Sequence, residues 1–179
     1  MTKEHHDAAL FSTEPDAATP PLKRHQSLRP LSREHMCGLI QARNLQAAAS
    51  ADEPTRTRTL AEFTRIWKSE LDQHFADEER LLLPLINSPQ LKQRLLDEHR
   101  VLRDLVGQIQ CQPDQVSQRP ELLETLGTFL HNHIRWEERV LFETIQHDHP
   151  DSLALMMLES NLIEQLRPGA RPRSSLTHR

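Results

Sequence analysis

A seven-residue pattern, His-x-x-x-Glu-Glu-Arg, occurs twice in this 179-residue chain and constrains its fold more than any other feature. The first copy runs from His74 to Arg80 and the second from His133 to Arg139, and apolar residues follow each copy. On an α-helix, residues four apart lie one turn above each other on the same face. Each copy therefore presents one imidazole and one carboxylate from one side of a helix.

Apolar residues recur at helical spacing through most of the chain, and no stretch shows the alternation typical of a β-strand. The pattern predicts four long helices, which begin near Ser32, Pro54, Pro89 and Pro120. A polar loop is expected over residues 111–119, and Asp151 is predicted to cap a short fifth helix over residues 152–166. Long amphipathic helices joined by short connections favour an up-down-up-down four-helix bundle, so we predict an all-α fold.

Each long helix carries a metal-ligand side chain on its apolar stripe, where a hydrophobic residue would be expected. These residues are His35, His74, Glu78, His99, His133 and Glu137. A buried polar group without a partner costs on the order of 1–3 kcal/mol. Six of them could therefore cancel the ~5–15 kcal/mol by which a domain is stable. A single such histidine is usually an ordinary core residue, but the set of six predicts bound cations.

The donor set indicates which cations are expected. Four neutral imidazoles and two carboxylates carry a charge of about −2, which suits two divalent ions with a bridging hydroxide or solvent molecule. Because the stripes contain no thiolate, the set is harder than a structural zinc site and fits iron, manganese or zinc. We predict that Glu78 and Glu137 bridge the two ions and that two imidazoles bind each ion.

The order His … His-x-x-x-Glu … His … His-x-x-x-Glu, over roughly residues 28–146, resembles the hemerythrin-like (HHE cation-binding) family. The resemblance implies a non-haem, oxo- or hydroxo-bridged di-iron centre in a four-helix bundle. It implies that His35 and His74 are terminal ligands of one iron and that His99 and His133 are terminal ligands of the other. Glu78 and Glu137 would bridge the two irons.

The chain departs from the oxygen-carrying members of that family at two points. Those proteins place a further histidine one turn after the third-helix ligand, where this chain has Arg103. They also have a later aspartate, where this chain instead has Glu137 four residues after His133. The sequence is more similar to a six-ligand branch of bacterial regulators, iron-centre repair proteins and the iron-sensing domain of a ubiquitin-ligase subunit. This implies sensing, reactivity with nitric oxide or peroxide, or labile iron, rather than simple oxygen carriage.

Smaller features give further expectations. Glu79 and Glu138 are expected to orient neighbouring ligands or to pair with Arg80 and Arg139. Gly38 either leaves room for a small ligand near the metals or lets two helices approach closely. On the fourth helix, the inner stripe is expected to continue past Glu137 to position 140 or 141 and then to position 144. Cys37 is expected to point away from the metals, with no reason for a lowered thiol pKa.

Composition bounds the location and the domain organisation. The two cysteines have no CxxC spacing, which fits a reducing compartment, and no apolar run approaches the roughly 20 residues of a membrane span. We therefore expect a cytoplasmic protein without a membrane partner, and the net charge of −4 argues against nucleic acid. Residues 1–27 are expected to form a flexible arm, residues 28–166 the bundle with its fifth helix, and residues 167–179 a disordered basic tail.

Three functions are compatible with these predictions. The favoured one is a protein that binds or senses O2, NO or the iron or redox state, because the stripes carry no further acid or base. The second is a di-iron enzyme or repair protein that turns over peroxide or NO, or donates iron to damaged iron–sulfur clusters; residues 1–27 lack the cysteine that such repair proteins often carry. The third is a metal-free interaction module, in which helix five or the basic tail docks. Helix five could instead form a homodimer contact.

Overall fold

The computed structural model describes residues 23–153, and every regular element in that range is helical. Helix α1 spans Arg29–Ala49 and follows a 3-10 turn at Gln26–Leu28. Helix α2 is continuous and has four parts: an α-helix at Glu53–Ile66, a π-helical turn at Trp67–Leu71, an α-helix at Asp72–Leu82 and a 3-10 turn at Leu83–Leu85.

Three further helices follow along the chain. Helix α3 spans Pro89–Cys111, and the short helix α4 spans Pro113–Ser117. Helix α5 again has several consecutive parts: an α-helix at Pro120–Trp136, a π-helical turn at Glu137–Leu141 and an α-helix at Phe142–Asp148. The long helices α1, α2, α3 and α5 form the predicted all-α bundle, in which short connections join successive helices.

Capping side chains and prolines define the helix starts. Asp52 accepts a hydrogen bond from the backbone N–H of Thr55 before α2, and Ser88 accepts one from Leu91 before α3. Helix α1 begins at Arg29 rather than at the predicted Ser32, because Pro30 fits the first helical turn instead of preceding it.

The structure corrects two predicted boundaries near the bundle ends. Part of the segment predicted as a loop at 111–119 is α4, which buries Val116 against the core. Helical backbone resumes at residue 150, before the predicted fifth-helix start at 152, because proline is well tolerated at the first helical position. The predicted arm over 1–22, most of the predicted fifth helix over 152–166 and the basic tail over 167–179 lie outside the described residues.

The last residues of the predicted N-terminal arm pack on the bundle. Arg24 and Ser27 are buried, and the Ser27 hydroxyl donates a hydrogen bond to the carbonyl of Leu153. The backbone N–H of His25 donates to the side chain of Gln146 at 2.6 Å. The ordered domain therefore includes residues 23–27, because polar side chains of this segment find partners on α5 and after it.

A polar layer divides the bundle core into two apolar clusters. The larger cluster contains Phe63, Leu102 and Leu126, whereas the smaller contains Leu82 and Phe142. On every long helix, the predicted ligand residues lie between residues of the larger cluster and residues of the smaller one. Hydrophobic packing on both sides thus holds the polar layer at the level where all four helices meet.

Both copies of the repeat are associated with a π-helical turn. The first turn ends three residues before His74, and the second begins at Glu137. A π-helical turn accommodates one extra residue, and such turns are frequent at functional sites. The inserted residue rotates the rest of the helix relative to a regular 3.6-residue repeat.

This rotation corrects the predicted inner face at the end of α5. A regular repeat places Thr144 inside, but the structure buries Leu141, Phe142 and Ile145 and leaves Val140 42% exposed. Thr144 is only half-buried. The π-helical turn therefore brings Phe142 to the core directly beside the polar layer.

Two glycines allow α1 and α5 to pack closely. A Cβ at Gly38 would lie 2.6 Å from Cδ1 of Ile134, and a Cβ at Gly127 would lie 2.7 Å from the carbonyl oxygen of Ala42. Of the two roles considered for Gly38, these contacts support the helix contact.

Among the residues described, no helix has both the length and the apolar character needed to cross a lipid bilayer.

Candidate metal centre

The structure brings all six predicted residues together in the middle of the bundle. Each of them is at most 2% exposed, and they come from all four long helices. The six residues are His35, His74, Glu78, His99, His133 and Glu137. Helical geometry places each histidine of the repeat one turn before its glutamate, so their side chains meet: Nε2 of His74 lies 3.3 Å from Glu78, and Nε2 of His133 lies 3.3 Å from Glu137.

The two carboxylate oxygens of Glu78 face different histidines. Oε1 lies 3.1 Å from Nε2 of His35 and 3.3 Å from Nε2 of His74. Oε2 instead lies 3.5 Å from Nε2 of His99. One carboxylate therefore faces two separate groups of imidazoles.

Glu137 divides its oxygens between the same two groups. Its Oε2 lies 3.2 Å from Nε2 of His35. Its Oε1 lies 3.5 Å from Nε2 of His99 and 3.3 Å from Nε2 of His133. Each group of two imidazoles consequently faces one oxygen from each carboxylate.

The inward-facing nitrogen and oxygen atoms are free to bind metal ions. Several are buried without a hydrogen-bond partner among the described protein atoms: Nε2 of His74, His99 and His133, Oε2 of Glu78, and both oxygens of Glu137. Buried polar atoms are rarely left in this state. The donor atoms form two sets, and within each set all atoms lie within 4.8 Å of one another. One set comes from Glu78, His99, His133 and Glu137, and the other from His35, His74 and Glu78, so that Glu78 belongs to both. The geometry and chemistry of these donors fit metal ions.

The outward nitrogen of every imidazole donates a hydrogen bond to a carboxylate. The donor–acceptor distances are 2.6 Å for His35 to Glu138, 2.9 Å for His74 to Glu34, 2.8 Å for His99 to Glu79 and 2.7 Å for His133 to Glu98. Because a carboxylate only accepts, Nδ1 must carry the proton in each case. This leaves Nε2 of each ring available to a cation.

These contacts refine the expectation for Glu79 and Glu138. Both hydrogen-bond to imidazoles as expected, and each also contacts a guanidinium group that is distant in sequence. Arg103 lies 2.7 Å from Glu79, and Arg24 lies 2.5 Å from Glu138. Arg103 occupies the position where oxygen carriers have a further histidine, and here it holds a carboxylate.

Sequence reasoning missed Glu34 and Glu98. Each of them directly precedes a predicted ligand, so that the dipeptide Glu-His occurs at 34–35 and again at 98–99. Both side chains are only partly buried, and they resemble ordinary polar residues on the flank of a helix. The repeated dipeptide is the signal that could have identified them.

The electrostatics of the cluster favour charged groups in the absence of a metal. Burial alone would lower the pKa of His74, but Glu78 and Glu34 raise it to about 9. Burial opposes the same change at His99, where Glu137 and Glu78 raise the pKa to about 10. Burial would raise the pKa of Glu78, yet the surrounding imidazoles hold it well below its ordinary value. The site therefore stabilises two carboxylates together with positive charge.

Aromatic rings enclose the centre. Phe75 stacks on His99 with ring centroids 4.4 Å apart, and Phe142 stacks on His35 at 5.4 Å. The ring centroid of Trp136 lies 6.2 Å from that of His133. These ring contacts limit the rotation of the imidazoles.

Comparison with known families identifies the domain. The profile of the hemerythrin HHE cation-binding domain matches residues 25–145. The chain belongs to the hemerythrin family. Searches of curated proteins and of solved structures returned no significant match. The hemerythrin match spans all six clustered residues, and the buried cluster of histidines and glutamates is what a metal-binding domain requires.

Proposed function

We propose that this hemerythrin-family protein holds two iron ions at the buried centre and uses them to bind or sense O2, NO or the cellular redox state. The division of each carboxylate between two groups of imidazoles carries the proposal, because a bridging ligand needs one oxygen for each ion. Four imidazoles and two carboxylates without a thiolate form a donor set that suits iron.

The oxygen positions support one division of the ligands. One ion would be held by His35 and His74 together with Oε1 of Glu78 and Oε2 of Glu137. The second would be held by His99 and His133 with the remaining two oxygens. Four protein donors on each ion leave room for a small exogenous ligand. This agrees with the presence of Arg103 at the position where the oxygen-carrying members of the family have a further histidine. Manganese or zinc could occupy the same donors.

Bound iron would supply reversible binding of a diatomic molecule and a change of oxidation state. The chain supplies the surroundings: Phe75 and Phe142 exclude water from two imidazoles, and carboxylates hold the imidazole orientation. The sequence contains no tyrosine that could serve as a radical site. These features favour binding and sensing over catalysis, and the two unpaired cysteines suit the reducing cytoplasm.

The test is reconstitution of the full chain with Fe2+ under anaerobic conditions, followed by stepwise addition of O2 or NO. We expect new visible absorption bands that appear with the ligand and, for a reversible sensor, disappear on its removal. An unchanged spectrum with both gases would contradict the proposal. Sustained turnover of peroxide or NO that His99→Ala abolishes would instead favour the enzyme. A metal-free module is opposed by the unsatisfied inward atoms, and it predicts no stabilisation by metal.

A further inference from the structure

The carboxylates that orient the imidazoles follow a closed circuit around the bundle. Glu138 of α5 binds His35 of α1, and Glu34 of α1 binds His74 of α2. Glu79 of α2 binds His99 of α3, and Glu98 of α3 binds His133 of α5. Every long helix thus orients the histidine of the next helix, and the last helix returns to the first. We call these four glutamates the outer carboxylates.

The circuit follows from the position of each outer carboxylate beside a residue of the centre. Glu34 and Glu98 precede His35 and His99, whereas Glu79 and Glu138 follow Glu78 and Glu137. Neighbouring residues on a helix are separated by about 100° around its axis. One of the pair therefore points into the centre while the other points toward the adjacent helix.

Guanidinium groups contact Glu138, Glu79 and Glu98 and help to hold these outer carboxylates in place. Arg24 contacts Glu138 at 2.5 Å, Arg103 contacts Glu79 at 2.7 Å and Arg94 contacts Glu98 at 2.6 Å. Arg103 comes from α3, but Arg24 comes from the segment before α1. Glu79 and Glu138 occupy corresponding positions in the two copies of the repeat, but the arginines that contact them come from different parts of the chain.

We propose that the four outer carboxylates are positioning residues that act in pairs, each pair serving one of the two ions. The inference rests on the proposed two-ion centre. Glu34 and Glu138 fix the rings of His74 and His35, which face the first ion. Glu79 and Glu98 fix the rings of His99 and His133, which face the second. Hydrogen bonds of this kind set the tautomer and the basicity of a metal-bound imidazole, and their loss typically costs 10–100-fold in affinity.

The experiment compares two double variants of the full chain, Glu34→Gln/Glu138→Gln and Glu79→Gln/Glu98→Gln. Glutamine keeps the size of the side chain and removes its charge. The control is Glu62→Gln/Glu121→Gln, because both residues are exposed and lie outside the centre. Anaerobic Fe2+ titration gives the number of ions and their separate affinities, and 57Fe Mössbauer spectra report the surroundings of each iron.

We expect each double variant to bind one ion with the affinity of the unmodified chain and the other 10–100-fold more weakly. The Mössbauer parameters of one iron should shift in each variant. To establish which iron shifts, His35→Ala and His99→Ala spectra provide references for the two positions. The control should match the unmodified chain.

Equal weakening of both ions in each variant would reduce the outer carboxylates to a general structural role and overturn the inference. Unchanged affinities and spectra would also overturn it, although two ions bound by the unmodified chain would leave the proposed function intact. Failure of the unmodified chain to bind two ions would overturn both.

Discussion

Arg24 and Glu138 form an ion pair that fastens the segment before α1 to the cluster of predicted ligands. A guanidinium nitrogen of Arg24 lies 2.5 Å from the carboxylate, and the same nitrogen lies 2.6 Å from the Glu138 carbonyl oxygen. Glu138 in turn accepts the Nδ1 hydrogen bond of His35. Arg24 also contacts Glu143 at 3.0 Å and lies over the ring of Phe142. A single residue therefore links the N-terminal segment to α5 and, through one carboxylate, to a predicted ligand.

Replacing Arg24 by Gln should lower the free energy of unfolding of the metal-free protein by about 1–3 kcal/mol, because it removes the positive partner of the buried Glu138 carboxylate. Urea unfolding measures the change. Arg65→Gln is the matched control, since Arg65 pairs with Glu62 on the surface with both side chains more than half exposed. That pair should contribute about 0–1 kcal/mol. Equal effects of the two substitutions would contradict the role of Arg24.

Alanine substitutions at three glycines should change stability in different directions. At Gly127, a Cβ would collide with backbone atoms of α1, so Gly127→Ala should cost about 1–3 kcal/mol. At Gly107, an added Cβ would meet no atom within 4 Å beyond its neighbours on the same helix, so Gly107→Ala should stabilise α3 by about 0.5–1 kcal/mol. Gly38→Ala should fall between them, because its closest neighbour is the end of the Ile134 side chain. Thermal unfolding of the three variants checks this order, and stabilisation by Gly127→Ala would contradict the packing.

The stability of the metal-free protein should fall as the pH rises from about 7 to about 10. Histidines with raised pKa values stabilise the fold fully below their ordinary pKa of 6.5, and this contribution disappears through about 9 for His74 and about 10 for His99. Glu78 and Glu137, whose pKa values are lowered, stay ionised and lose their positive neighbours. Chemical unfolding with and without Fe2+ at each pH is the measurement. The loaded protein should lose less stability, because metal replaces protons on the imidazoles; a metal-free protein that becomes more stable would oppose this account.

Cys37 should react slowly with thiol reagents in the folded protein. Burial, followed by the nearby Glu70 carboxylate, raises the pKa of its thiol to about 11. At pH 8 the thiolate fraction is then lower than that of an ordinary thiol by on the order of a hundredfold. In a Cys111→Ser variant, alkylation by iodoacetamide should accelerate accordingly when denaturant unfolds the chain. Equal folded and unfolded rates would contradict the burial and charge at Cys37.

The fold class and the residues that meet in the centre could be predicted because both depend on helical periodicity. His35 and His99 stand out as polar residues on apolar stripes, and the repeat aligns an imidazole with a carboxylate on one face. The structure brings these groups together as that pattern predicts. The all-α bundle is confirmed by the described helices and by the family match.

The features that sequence reasoning missed depend on contacts without a local pattern. A π-helical turn breaks the 3.6-residue repeat, so Phe142 could not be placed beside the centre from spacing alone. Glu34 and Glu98 lie on polar flanks, where carboxylates are normally solvated. Arg24 meets Glu138 across 114 positions of sequence, and its surroundings in the sequence resemble a flexible arm.

The proposed centre holds two metal ions that share Glu78 and Glu137. Crystals of the anaerobically iron-loaded chain, measured on both sides of the iron absorption edge, test it most directly. We predict two anomalous peaks in each molecule, one beside His35 and His74 and the other beside His99 and His133, with both carboxylates contacting both peaks. A single peak, or no peak within the cluster, would contradict the account.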